Sequence, residues 1–187
     1  MIGSGIVAPL STKQIDAFAL QWRRGIGYRD DQPVSMLRVI EFVLPRVFND
    51  FDYEIVEDAD LRGAEATTSL TKRHMRISAS TYAHARAGAG RATFTLAHEL
   101  GHLLIHCGRP VEFARGEARQ AYRNPEWQAD QFASCFLIPT DEAHKTPQIG
   151  MLALRFGTTP AAARVRLQKL GLIPGDSSMG GAMKKGR

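Results

Sequence analysis

The chain contains 187 residues, enough for one domain with a hydrophobic core but too few for two full-sized domains. Its 24 Lys and Arg against 19 Asp and Glu leave a mild positive charge, which permits an acidic or nucleic-acid partner without requiring one. Two cysteines, Cys107 and Cys135, fit neither a disulfide scaffold nor a zinc knuckle, and they indicate a reducing compartment.

Signals for export or membrane insertion are not found in the sequence. Residues 1–10 have no basic start and no long apolar run, and no later stretch approaches the roughly 20 apolar residues that a membrane span requires. We therefore expect a cytoplasmic protein that does not associate with membranes. A cell-wall hydrolase, which acts outside the cell, is disfavoured for the same reason.

Two helices are predicted in the N-terminal part, residues 1–50. Apolar residues recur at three- and four-residue spacing over residues 12–24, which is typical of an amphipathic helix. A second helix is predicted over residues 34–48, where Pro45 should kink or end it. These helices lack residues that suggest chemistry.

After residue 50 the sequence pattern changes to one that is typical of short strands. Residues 53–56, 66–70 and 75–80 carry β-branched or alternating residues between charged and Gly-containing turns, which predicts a small antiparallel sheet. Residues 83–90 are rich in Ala and Gly, and we interpret them as a flexible approach to the next helix. That helix, over residues 93–106, has the strongest helical pattern in the chain.

Helices are also predicted in the C-terminal part. Asn124 and Pro125 are start signals and Pro139 a stop signal for a helix over residues 125–137. Two shorter helices joined by residues 157–159 predict a helix-turn-helix-like unit within residues 146–174. Residues 175–187 are mostly Gly, Ser and Lys, which predicts a disordered tail.

The helix over residues 93–106 carries a metal-binding pattern. His98, Glu99 and His102 form H-E-x-x-H, in which the four-residue step places both imidazoles on one helix face, able to hold one zinc ion. Glu99 lies about 100° around the helix from His98, where it can accept a proton from a metal-activated water. Apolar flanks predict a buried helix, in which imidazoles need partners. Ordinary core histidines are the alternative.

A catalytic zinc site usually has a third protein ligand. Glu126 and Asp130 share one face of the following helix, so we assign Glu126 as the third ligand and Asp130 as the acceptor for the free ring N–H of His98. The reverse assignment of the two acids stays open. His106 would have to bend back about 6 Å along the axis, so we interpret it as a histidine facing the helix dipole.

Two blocks of the sequence resemble the ImmA/IrrE family of metallopeptidases. Residues 93–102 read TFTLAHELGH, and residues 126–133 read EWQADQFA, with LIP following at 137–139. The resemblance implies an α+β fold in which a small sheet packs with a zincin-type helix and a following ligand helix, giving a metallopeptidase core over residues 51–145. It also implies a gluzincin-like centre for zinc, with manganese as the alternative metal, in which the ligands are His98, His102 and Glu126 and the base is Glu99.

The resemblance further implies a substrate. Members of this family typically cleave helix-turn-helix transcriptional repressors, so the expected partner is such a repressor, or an antitoxin-like protein, whose cleavage derepresses genes. The expected reaction is hydrolysis by a metal-activated water with Glu99 as general base. The rival hypothesis is a regulatory module that binds protein or DNA and uses the metal structurally, with little proteolysis.

Two further surfaces are of interest. The strand over residues 75–80 is a candidate to pair with an extended substrate. On the last helix, Arg164, Arg166 and Lys169 are predicted to lie outside a buried stripe, where they could contact DNA phosphates, although a solvated helix face is the commoner explanation.

Overall fold

The computed structural model describes residues 5–109, 112–113 and 121–175. A small three-stranded sheet packs with helices around one hydrophobic core, which confirms the α+β class. The tail predicted for residues 175–187 lies, beyond residue 175, outside the described residues. Among the helices that the structure describes, none has both the length and the apolar character that crossing a membrane requires.

Helix α1 (Thr12–Gly25) begins with a reciprocal pair of hydrogen bonds. The Ser11 hydroxyl accepts from the Gln14 N–H, and the Gln14 side chain accepts from the Ser11 N–H. The predicted amphipathic helix is confirmed, and its buried residues include Ile15 and Ala19. These residues join the core beneath the later helices.

The second predicted helix is present but interrupted before Pro45. It consists of α2 (Met36–Arg38), a π-helical turn (Val39–Val43) and α3 (Leu44–Val47). Because proline has no N–H and its ring crowds the preceding turn, the regular ladder cannot continue through it. The Leu44 N–H bonds to the carbonyl of Val39 instead, which widens the helix by one residue.

The sheet has the order β2 (Asp52–Val56), β4 (His74–Ser78) and β3 (Ala66–Thr68). Strand β4 lies in the centre, antiparallel to β3 but parallel to β2. The prediction of an antiparallel sheet is therefore wrong for one of the two pairings. A 3₁₀ turn (Asp58–Leu61) follows β2, so the chain makes no tight hairpin there and crosses to the far side of β4 before β3 begins.

The flexible approach predicted for residues 83–90 is also wrong, because most of it is helical. Ser78 caps the start of helix α4 (Ala79–Arg86), because its hydroxyl accepts from the Thr81 N–H. Alanine has the highest helix propensity, so the Ala-rich run continues a helix that a cap has already started. The chain then turns at Gly88, which has a positive φ of 76°.

The two helices that were predicted to carry the metal-binding residues are α5 (Gly90–Ile105) and α6 (Pro125–Leu137). As predicted, Asn124 caps α6 by accepting from the N–H groups of its first turn. A Cβ atom on Gly101 would lie 3.1 Å from the Cα of Ala129, so the backbones of α5 and α6 approach closely here. A two-stranded antiparallel ladder, β1 (Gly5–Ile6) with β5 (Glu112–Phe113), was not predicted.

The C-terminal part contains α7 (Thr140–Lys145), α8 (Ile149–Phe156) and α9 (Pro160–Lys169). The last two are the predicted helix pair. Thr159 caps α9, and Gly157 ends α8 in the left-handed conformation that glycine adopts readily.

Arg166 does not lie outside this pair, so the expectation for that residue is wrong. Its side chain is fully buried, whereas Arg164 on the same helix is exposed. Four groups surround the guanidinium: Asp16 Oδ1 at 2.8 Å, Thr140 Oγ1 at 2.8 Å, the Ile138 carbonyl at 3.0 Å and Cys135 Sγ at 3.3 Å. Arg166 therefore joins α9 to α1, α6 and α7 and cannot contact DNA.

We expect Arg166→Met to lower the free energy of unfolding by about 3 kcal/mol, because it leaves the Asp16 carboxylate and the Ile138 carbonyl without their donor. The value lies at the low end for a broken buried pair because Asp16 keeps some solvent exposure. Urea unfolding followed by circular dichroism measures the change. The matched control, Arg164→Met, should change stability by less than about 0.5 kcal/mol. If both variants lost the same free energy of unfolding, the buried contacts of Arg166 would not stabilise the fold.

Candidate metal centre

Helices α5 and α6 bring three possible metal ligands together. The Nε2 atoms of His98 and His102 lie 3.0 Å apart, and the carboxylate of Glu126 lies 3.3 Å from the first and 3.5 Å from the second. One donor atom from each side chain lies within 4.8 Å of the others. Two imidazole nitrogens and a carboxylate oxygen are a donor set that suits zinc, so the residues present fit such an ion.

The second acid of α6 approaches the other ring nitrogen of His98. Asp130 Oδ1 lies 2.8 Å from His98 Nδ1, while Glu126 faces the Nε2 side. The two acids therefore approach opposite ring nitrogens of His98. Burial lowers the pKa of His98, but hydrogen bonds to Asp130 and Glu126 outweigh it and raise that pKa to about 10 in the metal-free protein.

Glu99 lines a cavity together with His102 and Glu126, and one of its carboxylate oxygens is unpaired among the described residues. Its side chain is buried, and among the described residues no group forms a hydrogen bond with its Oε2 atom. Burial raises the pKa of this carboxyl group, and the nearby imidazole of His102 partly opposes that effect. A buried carboxylate oxygen without a partner is costly, which indicates that it has a role with a bound group.

This cavity has a volume of about 390 Å³. Its walls come from three places: the end of the 62–65 turn and strand β3, helix α5, and helix α6. The lining residues are Ala64, Ala66, Thr67, Thr68, Glu99, His102 and Glu126. The hydroxyl of Thr68 also donates to the carbonyl of Glu99 at 3.1 Å, which holds β3 beside the centre.

The strand expected to meet a substrate is not the one nearest the cavity. Strand β4, residues 74–78, pairs on both sides and has no free edge for a peptide. Strand β3 lines the cavity, and among the described strands only β4 pairs with it. The prediction for residues 75–80 is therefore wrong, and the sheet edge that borders the cavity belongs to β3.

His106 was interpreted as a histidine facing the helix dipole, but it contacts the centre. Its Nδ1 atom lies 3.0 Å from Nδ1 of His102, and its Nε2 atom lies 2.9 Å from Oε1 of Gln128. Burial lowers the pKa of His106 to about 4, so a neutral imidazole, not a cation, occupies this position. The four-residue spacing from His102 to His106 was a sequence signal for this contact, but nothing in the sequence indicated the role of Gln128.

Two comparisons with known proteins bear on this site. The family model described as the IrrE N-terminal-like domain, Peptidase_M78, matches residues 66–168. This match covers more than half of the chain and includes β3 together with both helices of the centre. No curated protein matches the chain.

The raised pKa of His98 makes the stability of the metal-free protein depend on pH. Because its folded pKa of about 10 exceeds its ordinary value of 6.5, the stabilisation is complete below pH 6.5 and is lost as the pH rises toward 10. Asp130→Asn should reduce this alkaline loss, since it removes one of the carboxylates that favour the imidazolium. Midpoints of urea unfolding, measured in chelator between pH 6 and 10, give the loss of stability at alkaline pH.

The control for this measurement is Asp60→Asn, which changes an exposed acid in the 3₁₀ turn and should leave the pH dependence of the midpoint unchanged. An alkaline loss of the same size in the Asp130→Asn variant and the unsubstituted protein would contradict the assigned pairing.

Proposed function

The chain belongs to the Peptidase_M78 family of IrrE N-terminal-like domains, and from this premise we propose that it is a zinc-dependent endopeptidase that cleaves a helix-turn-helix transcriptional repressor. The observation that carries the peptidase proposal is the meeting of three ligand-type side chains beside a cavity into which Glu99 brings a carboxylate oxygen with no partner among the described residues. A site that holds a metal only for structure has no use for such a base.

Each side chain of the centre has a proposed role. His98, His102 and Glu126 hold the ion, and Asp130 accepts the Nδ1–H of His98, which leaves the Nε2 lone pair of that ring for the metal. Zinc is the expected ion because imidazole and carboxylate donors suit it, and manganese is the alternative. When bound, the ion would polarise a peptide carbonyl and lower the pKa of a neighbouring water.

Glu99 is the proposed general base. The pKa of its carboxyl group is raised toward neutral pH. A group whose pKa lies near the working pH can both accept a proton and return it. It accepts a proton from the attacking water and then gives that proton to the departing amine of the substrate. No side chain of the centre needs to form a covalent bond with the peptide.

The edge of β3 is the proposed place for an extended substrate. The Ser78 N–H bonds to the Glu65 carbonyl and the Ser69 N–H bonds to the His74 carbonyl, so residues 65 and 69 turn their backbone groups toward β4. Because these directions alternate along a strand, the backbone groups of Ala66 and Thr68 turn to the outer edge. A peptide added there would lie beside the cavity that contains Glu99.

The choice of a repressor as substrate is supported by family membership. Cleavage of such a protein, or of an antitoxin-like partner, would derepress the genes that it controls, and a cytoplasmic location follows from that role. Incubating the zinc-loaded chain with a helix-turn-helix repressor encoded beside it, and mapping fragments by mass spectrometry, tests the substrate class. One defined cut that chelator prevents supports the proposal, and an intact repressor contradicts it.

Glu99→Gln should lower cleavage by about 10²–10⁴-fold, because the amide cannot accept the proton from water. Zinc content should stay near one ion per chain, since Glu99 is not a proposed ligand. The matched variant His98→Gln should lose both cleavage and tightly bound zinc. Full cleavage by the Glu99→Gln protein would leave the metal with a structural role and favour the regulatory module instead.

Ala66→Pro should lower kcat/KM by about 3- to 10-fold, mainly through KM, because it removes one outward N–H and with it about 0.5–1.5 kcal/mol of hydrogen bonding. Ala66→Gly is the control, because it also changes the side chain at this position but keeps the backbone N–H. Zinc content and the unfolding midpoint of both variants show whether the centre survives. Equal kcat/KM in the two variants would show that substrate does not pair with this edge.

A further inference from the structure

A buried chain of side chains leads from His102 into the interior. His102 Nδ1 contacts His106 Nδ1 at 3.0 Å, and His106 Nε2 contacts Gln128 Oε1 at 2.9 Å. The amide nitrogen of Gln128 then donates to the carbonyls of Ala8 at 2.8 Å and Tyr122 at 2.7 Å. All three side chains are almost completely shielded from solvent, with exposed fractions of 1%, 1% and 0%.

The far end of this chain fixes the direction of every hydrogen bond in it. Backbone carbonyls only accept, so the NH₂ group of Gln128 must face Ala8 and Tyr122, and its oxygen must face His106. The Nε2 atom of His106 therefore carries the hydrogen that this oxygen accepts. A neutral imidazole has one donor and one acceptor nitrogen, which leaves Nδ1 of His106 as an acceptor.

The remaining step reaches the proposed metal ligand. Because Nδ1 of His106 accepts, Nδ1 of His102 must donate, and Nε2 of His102 is left with a free lone pair. That Nε2 atom is the one that faces His98 and Glu126. In the other tautomer, His102 would present an N–H group to the ion and could not bind it.

We propose that His106 and Gln128 are positioning residues that hold His102 in its metal-binding tautomer before the ion arrives. The inference rests on the proposed function only in that the centre takes a divalent metal. Asp130 serves His98 in a simpler way, since a carboxylate can only accept. His106 can donate or accept from either nitrogen, so its effect on His102 depends on the carbonyl-anchored amide of Gln128.

The local structure explains why a histidine fits at this position. Helix α5 ends at Ile105, and His106 is the residue that caps it, with φ −112° and ψ −25°. It follows His102 by four residues, so the two rings meet on the same side of the chain. The ring of His106 spans the gap to α6, where Gln128 lies between the two acids of the centre in sequence.

The first test reads the tautomers directly in the unsubstituted, metal-free protein. Long-range ¹H–¹⁵N spectra of the histidine rings should show His102 with hydrogen on Nδ1 and none on Nε2, and His106 with the reverse arrangement. This readout requires neither metal nor substrate. Finding His102 with its hydrogen on Nε2 would overturn the proposal.

The second test compares two substitutions of His106 by zinc affinity, measured in competition with a chromophoric chelator. His106→Leu fills similar space but accepts nothing, and zinc affinity should fall about 10- to 100-fold. His106→Asn places an amide oxygen near the former Nδ1 position, so affinity should return to within about threefold of the unsubstituted value. A role in packing alone would favour leucine over asparagine.

Unfolding midpoints measured in chelator show whether each variant folds. If His106→Leu does not fold, the tautomer spectra of the unsubstituted protein and the zinc affinity of His106→Asn test the proposal. Leucine and asparagine variants with equal zinc affinity would refute the proposal. A failure of the proposed function looks different. In that case, either the unsubstituted protein binds no zinc although the tautomers are as described, or zinc binds and no repressor is cleaved.

Discussion

The close packing of α5 on α6 is the constraint on which the candidate site depends. Imidazoles come from one helix and carboxylates from the other, and they meet because the backbones approach at Gly101, where a Cβ atom would lie 3.1 Å from the Cα and 3.2 Å from the carbonyl oxygen of Ala129. A larger residue at that position would separate the helices by an amount comparable to the tolerance of a metal–ligand bond. A small residue one position before His102 is thus part of the site, although it carries no chemistry.

Several distant parts of the chain hold α6 in that position. The backbone carbonyl of Ala8, near the start of the described residues, accepts from Gln128, and α1 packs along the buried side of α6. At the other end of α6, Arg166 ties α9 to the carbonyl of Ile138 and to Asp16 of α1. The N-terminal helix and the C-terminal pair therefore support the site without contributing ligands, which makes the site a property of the whole domain.

Local signals predicted much of this structure. The bounds of α6 follow from Asn124, Pro125 and Pro139, and the ligand-bearing face of α5 follows from the spacing of His98 and His102, because caps and periodicity act within a few residues. Long-range contacts were harder to predict from the sequence. The parallel pairing of β2 with β4 and the burial of Arg166 depend on partners many residues away, and a basic residue on a short helix is usually exposed. His106 was assigned to the helix dipole because its partner, Gln128, lies on another helix.

X-ray absorption at the zinc edge of the zinc-loaded protein tests the central claim most directly. The account predicts one ion per chain with two imidazole nitrogens and one carboxylate oxygen at about 2.0–2.2 Å, and a remaining position filled by a light atom from solvent. A His102→Gln protein should lose the tightly bound ion and its spectrum, as expected for His98→Gln, and that loss would assign the shell to this centre. A spectrum with sulfur at about 2.3 Å, or one that the His102→Gln substitution leaves unchanged, would place the ion elsewhere and contradict the account.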